Sequence, residues 1–488
     1  MYDKITKYIC AFLKKNKMIK YKHSILSLAI LISLSLNLFS QGHKIDITVK
    51  GMADSTLYIA YHYGSKKYVI DTLVADQNGS IKVEGKNPLP GGVYLVVLPG
   101  MRYFEMLMGD DQEFSVSSGT EDFLNTLSFT GSEENTAFLE YQRFLVKTNK
   151  ENQELKKEQI KHLSNTDSLF IIQDQLDKND AKIKDYVKEI NKKFPGSFLV
   201  NLLNAMTPPE RPEITIPGDI ENRDSISMII TYGFLRDHYF DNINLADDRL
   251  VRTPVLEGKL GQYLNSMLLQ VPDSVIPPLD RLINSTRVND EMYKYVVIFA
   301  LNNFLESNIM GMDEVFVHVA EKYYLSGEAP WADSIYLEKL YERVLSLRPN
   351  LIGRRAPDLK METITGEWVS LNEVEAPFTV LYFWEPNCGF CKKTTPQLFE
   401  IYNKYKEKGL KVFSVDTQGN KEEWEKYVND NGLDWINAWD PRNQTFFRTF
   451  YDVRSTPIVF LLNKDKIIIA KRIDMESLGK MLESLFAE

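Results

Sequence analysis

Two cysteines three residues apart, Cys388 and Cys391, stand in the segment Glu385-Pro-Asn-Cys-Gly-Phe-Cys, between an apolar run and a stretch of helical character. At this spacing the two sulfurs sit about one helical turn apart. A thiolate at Cys388 can attack a disulfide, and Cys391 can then attack the mixed disulfide and release the reduced partner. Cys388 falls where unpaired helix N–H groups and the macrodipole favour a thiolate. Other uses of a Cys-x-x-Cys pair have weaker support. Tetrahedral zinc needs two more ligands. The only other cysteine is Cys10, and none of the 6 histidines lies in residues 349–488, so no metal is expected. A c-type haem site needs His after the second Cys, where Lys392 stands. A structural disulfide stays open on the residues alone, although so short a loop constrains little unfolded-state entropy. With no histidine nearby, thiolate stabilisation falls to the helix terminus, backbone N–H groups and Lys392 or Lys393.

The pair needs a rigid frame, and the surrounding sequence supplies one. FTVLYFW (Phe378–Trp384) is a continuous apolar run suited to a buried parallel strand. A helix is expected over residues 391–406, interrupted by Pro396, followed by a strand over 410–416 (LKVFSVD). Next come a helix in KEEWEKYVND and a helical stretch near residues 444–450. Two strands, PIVFLLN and KIIIAKR, and a final helix from about Glu476 complete an α/β sandwich over residues 349–488.

In the order Trp384-x-x-x-Cys388-Gly-Phe-Cys391, with Pro396 in the next helix and Thr456-Pro457 before IVFLLN, the chain resembles the thioredoxin superfamily. The insertion over residues 416–453 resembles the exported TlpA/ResA-like branch of that superfamily, and the likeness covers residues 352–488. It implies a thiol-disulfide oxidoreductase whose only redox group is the Cys388–Cys391 disulfide, with no dissociable cofactor. It further implies a cis peptide bond before Pro457. The substrate groove would be built from Trp384, Gly389, Phe390, Thr456 and Pro457, and the partners would be protein thiols and disulfides. Two proton acceptors of the family are absent. Tyr382 stands at the position of the buried acid two residues before the Trp, and Thr394 stands where some members carry Glu. Glu385 is therefore the expected aid to proton transfer from Cys391. Phe390 adds neither charge nor a side-chain hydrogen bond to the pair, which favours a reductase over a strong oxidant. A peroxidase is disfavoured, because Glu385 replaces the Thr usual three residues before a peroxidatic Cys.

The rest of the 488 residues divides by composition. Residues 25–39 are apolar and follow Lys17, Lys20 and Lys22, the pattern of a secretory signal peptide over residues 1–41 with cleavage after Ser40. A start at Met18 gives the more conventional leader, and Cys10 is lost either way. The leader holds seven Lys and one acid, so the net charge of −9 hides a remainder of 51 basic and 66 acidic residues, near −15. That balance excludes a nucleic-acid partner. Residues 42–145 carry short Val-, Ile- and Tyr-rich runs broken by turn residues, the mark of a β-sandwich, with Asn78-Gly79 expected as a hairpin turn. A charged helical segment is expected over 146–206, a proline-rich linker over 207–219 and a helical domain over 220–348. Nothing in residues 43–348 forms a catalytic constellation, and a further ligand of these regions stays open. The whole reads as an exported enzyme of the periplasm or cell envelope, supplied with electrons by a membrane thiol relay. The alternative is an envelope binding or scaffold protein in which the redox pair is secondary.

Overall fold

The computed structural model describes residues 42–487, apart from 164, 211, 213 and 215–221. The expected signal peptide with Met18, and much of the expected linker at 207–219, lie outside the described residues. The chain forms two units, divided after Thr207.

In the first unit the chain builds two four-stranded sheets, with buried and exposed residues alternating along β1, β4 and β7. Strands β1 (His43–Val49), β4 (Ser80–Gly85), β7 (Glu113–Ser118) and β8 (Ser128–Thr130) form one, in the order β4-β1-β7-β8. Strands β2 (Thr56–Tyr63), β3 (Lys66–Val74), β5 (Gly92–Val97) and β6 (Tyr103–Met108) form the other, in the order β3-β2-β5-β6. Ile45, Ile47 and Val49 from the first sheet and Leu57, Ile59 and Val96 from the second share one buried core, so the domain is a sandwich.

Asn78-Gly79 does not make the expected hairpin. β3 pairs with β2 and β4 pairs with β1, so the turn carries the chain from one sheet to the other. Of the two residues only Gly79 has positive φ, at +76°. Asp76 organises the turn instead, its carboxylate accepting N–H bonds of 2.8 Å from both Asn78 and Ser80. A Cβ at Gly79 would lie 2.2 Å from the Val49 carbonyl oxygen, so the position requires glycine.

The sandwich is followed by α1 (Glu133–Lys161), α2 (Thr166–Lys193) and α3 (Phe198–Met206). The expected boundary at 145/146 therefore falls inside α1. The reason is local: Ser132 caps the helix by accepting from the Asn135 N–H. The buried Asn135 side chain then pairs with both backbone groups of Leu107 on β6, at 2.7 and 2.9 Å. These bonds make the first turns of α1 part of the β-domain's packing. The apolar stripe of α2 is also structural, with Val187 and Ile190 buried and Tyr186 stacked on Phe144 at 4.7 Å.

The second unit joins a helical region to an α/β domain. Its helices are α4 (Arg223–Asp237), α5 (Pro254–Gln262), α6 (Pro272–Ser285), α7 (Asp290–Leu305), α8 (Asp313–Val319) and α9 (Ser334–Leu347). The thioredoxin-like domain carries β9 (Lys360–Thr363), β10 (Trp368–Ser370), β11 (Phe378–Trp384), α10 (Gly389–Tyr405), β12 (Lys411–Asp416), α11 (Lys421–Asp430) and β13 (Ile436–Trp439). It ends with β14 (Ile458–Asn463), β15 (Ile468–Lys471) and α12 (Met475–Leu485). The sheet order is β10-β9-β13-β12-β11-β14-β15, with β11, β12 and β13 mutually parallel. Three of these strands, β9, β10 and β13, are too short to stand out in the sequence.

Central β11 is buried on both faces, as its continuous apolar run requires. Val380, Tyr382 and Trp384 pack with α10, α11 and α12, whereas Leu381 and Phe383 pack with Phe447, Tyr451 and Phe460 on the other face.

Two buried polar clusters tie the helical region to this domain. The Asp452 carboxylate, 1% exposed, accepts from Arg343 and Ser346 of α9 and from Arg454 and Arg472 of the thioredoxin-like domain. Lys471, at the end of β15, donates to the carboxylate of Asp313 at the start of α8 and to Asn350. No helix among the described residues is long and apolar enough to cross a membrane.

Candidate functional site

Three chain ends meet at one edge of the sheet, because parallel β11 and β12 finish together and antiparallel β14 begins beside them. Trp384 pairs with Asp416 at the ends of the parallel strands, and Ile458 at the start of β14 pairs with Phe383. The ends of parallel strands are where α/β sheets place reactive groups. Here that edge receives the Cys388 loop, Asp416 and the Thr456–Pro457 loop.

Helix α10 starts one residue after Cys388, so Cys388 is its N-cap rather than a loop residue ahead of a helix beginning at 391. Its Sγ accepts the Cys391 backbone N–H at 3.3 Å and reaches the Thr456 carbonyl oxygen, also at 3.3 Å. The Thr456–Pro457 peptide bond is cis and lies against the sulfur. Burial acts to raise the Cys388 thiol, but bonds from Cys391, Thr456 and the first-turn backbone outweigh it, and the net shift is downward. Cys391 lies one turn on, 1% exposed, and burial together with its bond to Cys388 pushes its thiol up to about 12. Lys392 and Lys393 are exposed and take no part in the Cys388 shift. The first turn of the helix and the Thr456 loop together supply the stabilisation.

The other expected site residues divide. Gly389 and Phe390 are exposed at the start of α10, Phe390 at 73%. Thr456 and Pro457 are half-buried beside the sulfur. Trp384 is not part of a groove. It is 0% exposed, stacked parallel to Tyr382 and packed on Tyr427, because it falls on the helix-covered face of β11. The Glu385 carboxylate accepts from the Thr456 hydroxyl at 2.5 Å, which ties the cysteine loop to the cis-proline loop. Tyr382, at the family's acid position, is buried and bonded to Thr395 at 2.9 Å.

Asp416 is the residue that sequence reasoning missed. One carboxylate oxygen accepts the Gly419 N–H at 2.8 Å, while the other is buried with no hydrogen-bond partner. Burial raises this carboxyl to about 6, helped by the charge of Glu385 and opposed by the Gly419 and Gln418 N–H groups and by Arg448. The signal was available, since SVD ends the strand parallel to the one before the cysteines.

A stability prediction follows for Asp416. Its folded-state value of about 6 lies above the ordinary 3.8, so the folded protein binds this proton more tightly than the unfolded chain does. Ionisation above about pH 6 then costs about 3 kcal/mol of stability, a cost absent below about pH 4. Asp416→Asn is expected to stabilise the protein relative to wild type by about that much more at pH 8 than at pH 4. Denaturant titrations at the two pH values check this, and an equal difference at both refutes it.

The comparisons with known proteins match all three regions of the chain. The AhpC/TSA family model matches residues 352–471. A domain of unknown function (DUF5106) matches residues 199–350 and another (DUF4369) matches residues 43–138. The thiol-disulfide oxidoreductases ResA of Bacillus thuringiensis and Bacillus anthracis are each 31% identical over 122 residues, covering 25% of this chain and 69% of theirs. The chain belongs to the ResA-like thiol-disulfide oxidoreductases. Among solved structures, a thioredoxin-like protein from Bacteroides caccae is 24% identical, with TM-score 0.45, covering 57% of this chain and 99% of its own. The thioredoxin domain of a thiol-disulfide oxidoreductase from Bacteroides vulgatus is 26% identical, with TM-score 0.27, covering 28% of this chain and 97% of its own. For a ResA-like oxidoreductase, the β-sandwich and the helices lie ahead of the redox domain, in residues that the two families of unknown function match.

Proposed function

We propose that this oxidoreductase is exported to the cell envelope and reduces protein disulfides there through Cys388 and Cys391. The observation that carries the reading is the asymmetry of the two thiols. Cys388 is partly exposed and shifted downward, whereas Cys391 is buried and raised to about 12. The Cys388 thiolate attacks a substrate disulfide, forming one S–S bond as it breaks another, and the leaving sulfur takes a proton. Cys391 then loses its proton and attacks Cys388, so the substrate departs as a dithiol and the enzyme holds the Cys388–Cys391 disulfide. Two electrons and two protons pass to the substrate in each cycle. No dissociable cofactor takes part, and a membrane thiol relay returns the electrons.

The reducing direction is supported by the dipeptide between the cysteines, because exposed Phe390 adds neither charge nor a side-chain hydrogen bond to the Cys388 thiolate. A strong oxidant of this class owes its potential to a stabilised reduced form. Here the Cys388 thiolate gains only hydrogen bonds, against an opposing burial, so the reduced form is stabilised modestly. Glu385, bonded to Thr456 beside Cys388, carries the proton-transfer role. Exposed Phe390 gives the substrate an apolar contact beside Cys388.

Trapping in the native envelope tests this reading. Cys391→Ser leaves Cys388 able to attack but removes the resolving sulfur, so mixed disulfides with envelope proteins are expected on non-reducing gels. A variant that accumulates no mixed disulfide overturns the reading.

A further inference from the structure

A cavity of about 450 Å³ opens beside Pro457, and its polar lining comes from both the helical region and the thioredoxin-like domain. Arg343 projects into it from α9, Arg454 from the loop before Pro457, and Arg472 from the residue after β15. All three guanidinium groups converge on the single carboxylate of Asp452. The second acid of the lining, Asp474, is engaged as the N-cap of α12, accepting from the Ser477 N–H and hydroxyl at 2.9 and 2.7 Å. Three positive charges thus face two negative ones. Asp452 neutralises only one of the arginines around it, and each guanidinium has five donors to offer.

This cationic hollow contrasts with its setting. The chain carries −9 overall, and residues 42–488 are near −15. Arg454 and Arg472 keep 65% and 49% of their side-chain surface exposed, so their unused donors face solvent. Arg343 is held more deeply, at 21%. Arginine is the side chain best matched to a planar carboxylate, because its fork can make two parallel hydrogen bonds.

We propose that this cavity is a substrate subsite that takes an acidic side chain, Asp or Glu, from the polypeptide segment next to the disulfide cysteine being reduced. The inference rests on the redox reading of Cys388. The substrate cysteine must reach Cys388 Sγ, which lies against the Thr456 carbonyl, and the cavity wall begins one residue later at Pro457. A segment crossing that loop carries its flanking side chains over the cavity mouth. On this reading the helical region has a part in catalysis: it supplies Arg343, so the redox domain by itself lacks one wall of the subsite. The subsite selects partners electrostatically, and it attracts acidic segments that the rest of the anionic surface repels.

The test uses the full-length mature protein, reduced beforehand with dithiothreitol and freed of excess reductant, so that its own dithiol supplies the two electrons. The substrates are three disulfide-linked peptides that differ only in Glu, Gln or Lys two residues from the cysteine. Wild type is expected to reduce the Glu peptide about tenfold faster, in the second-order rate constant of this single turnover, than the Lys peptide, with the ratio shrinking as salt is raised. Arg454→Gln should bring that ratio towards 1, and Arg454→Glu should invert it. Because Arg454 is largely exposed, both variants are expected to fold, and the inverted preference is a result that mere destabilisation does not give. Equal rates on the Glu and Lys peptides in wild type overturn the subsite and leave the redox reading intact. Failure to reduce any of the three peptides, or reduction that survives Cys388→Ser, overturns the redox reading itself.

Discussion

Cys388→Ser is expected to abolish reduction of a model protein disulfide, lowering the rate by on the order of a thousandfold or more. Serine keeps the N-cap geometry, since its hydroxyl can accept the Cys391 N–H that Cys388 Sγ accepts at 3.3 Å. The fold therefore survives and the loss is chemical. Cys391→Ser separates the two steps. Attack by Cys388 continues, a single burst of substrate thiol is released, and turnover stops at the mixed disulfide. Insulin reduction measures the turnover, and intact-mass spectrometry measures the adduct. The burst should also report protonation. Cys388 is shifted downward, so the attack rate should rise with pH and level off below the range of an ordinary thiol, falling on the acid side as the thiolate is protonated. A plateau appearing only above that range would contradict the stabilised thiolate.

Asp452→Ala is expected to destabilise the second unit by about 3–5 kcal/mol, the usual cost of breaking a buried charge cluster by removing one partner. The carboxylate is 1% exposed and accepts from three arginines and Ser346, so its loss leaves Arg343, Arg454 and Arg472 facing one another. The backbone adds to the effect. Asp452 has φ of +49°, a region that Asp and Asn enter more readily than Ala. Asp452→Asn keeps the backbone preference and one acceptor, so it should cost less, and the difference between the two variants isolates the conformational part. Burial acts to raise this carboxyl, yet Arg343 and the other arginines hold it below the ordinary carboxylate range. Its stabilisation is thus present above about pH 4 and is lost as pH falls through the lowered value. Chemical denaturation at pH 7 checks the magnitude. The exposed pair Lys480–Glu476 provides the control, because its removal should leave stability unchanged. An Asp452→Ala variant as stable as that control would show that the helical region is not held through this cluster.

The redox domain was legible because its signals are local. A continuous apolar run means a strand buried on both faces, a Cys-x-x-Cys after it means a helix start, and Thr-Pro before the next apolar run completes the pattern. The same holds for the seven strands read between residues 43 and 118, which are short runs rich in Val, Ile and Tyr closed by turn residues. Short elements were not legible. β9, β10 and β13 have only three or four residues each, and their place comes from neighbours already in the sheet. Partner choice was also hidden. Asn78-Gly79 carries the residue types of a hairpin, but which strands pair is decided by long-range packing of the sandwich core.

The sequence by itself determined the spacing of the cysteine pair, the strand and helix that present it, and the excess of negative charge. All three follow from residue type and from spacing over a few positions. Only the tertiary structure decided which groups surround the pair. It buried Trp384 on the helix-covered face of β11 rather than in a groove, and it bonded Glu385 to Thr456, 71 residues away. It brought Asp416 to the same sheet edge and set Arg343 of the helical region against Asp452, 109 residues on. Such contacts depend on how strand ends align and how domains dock. No local period encodes that information, because burial and charge pairing act through space rather than along the chain.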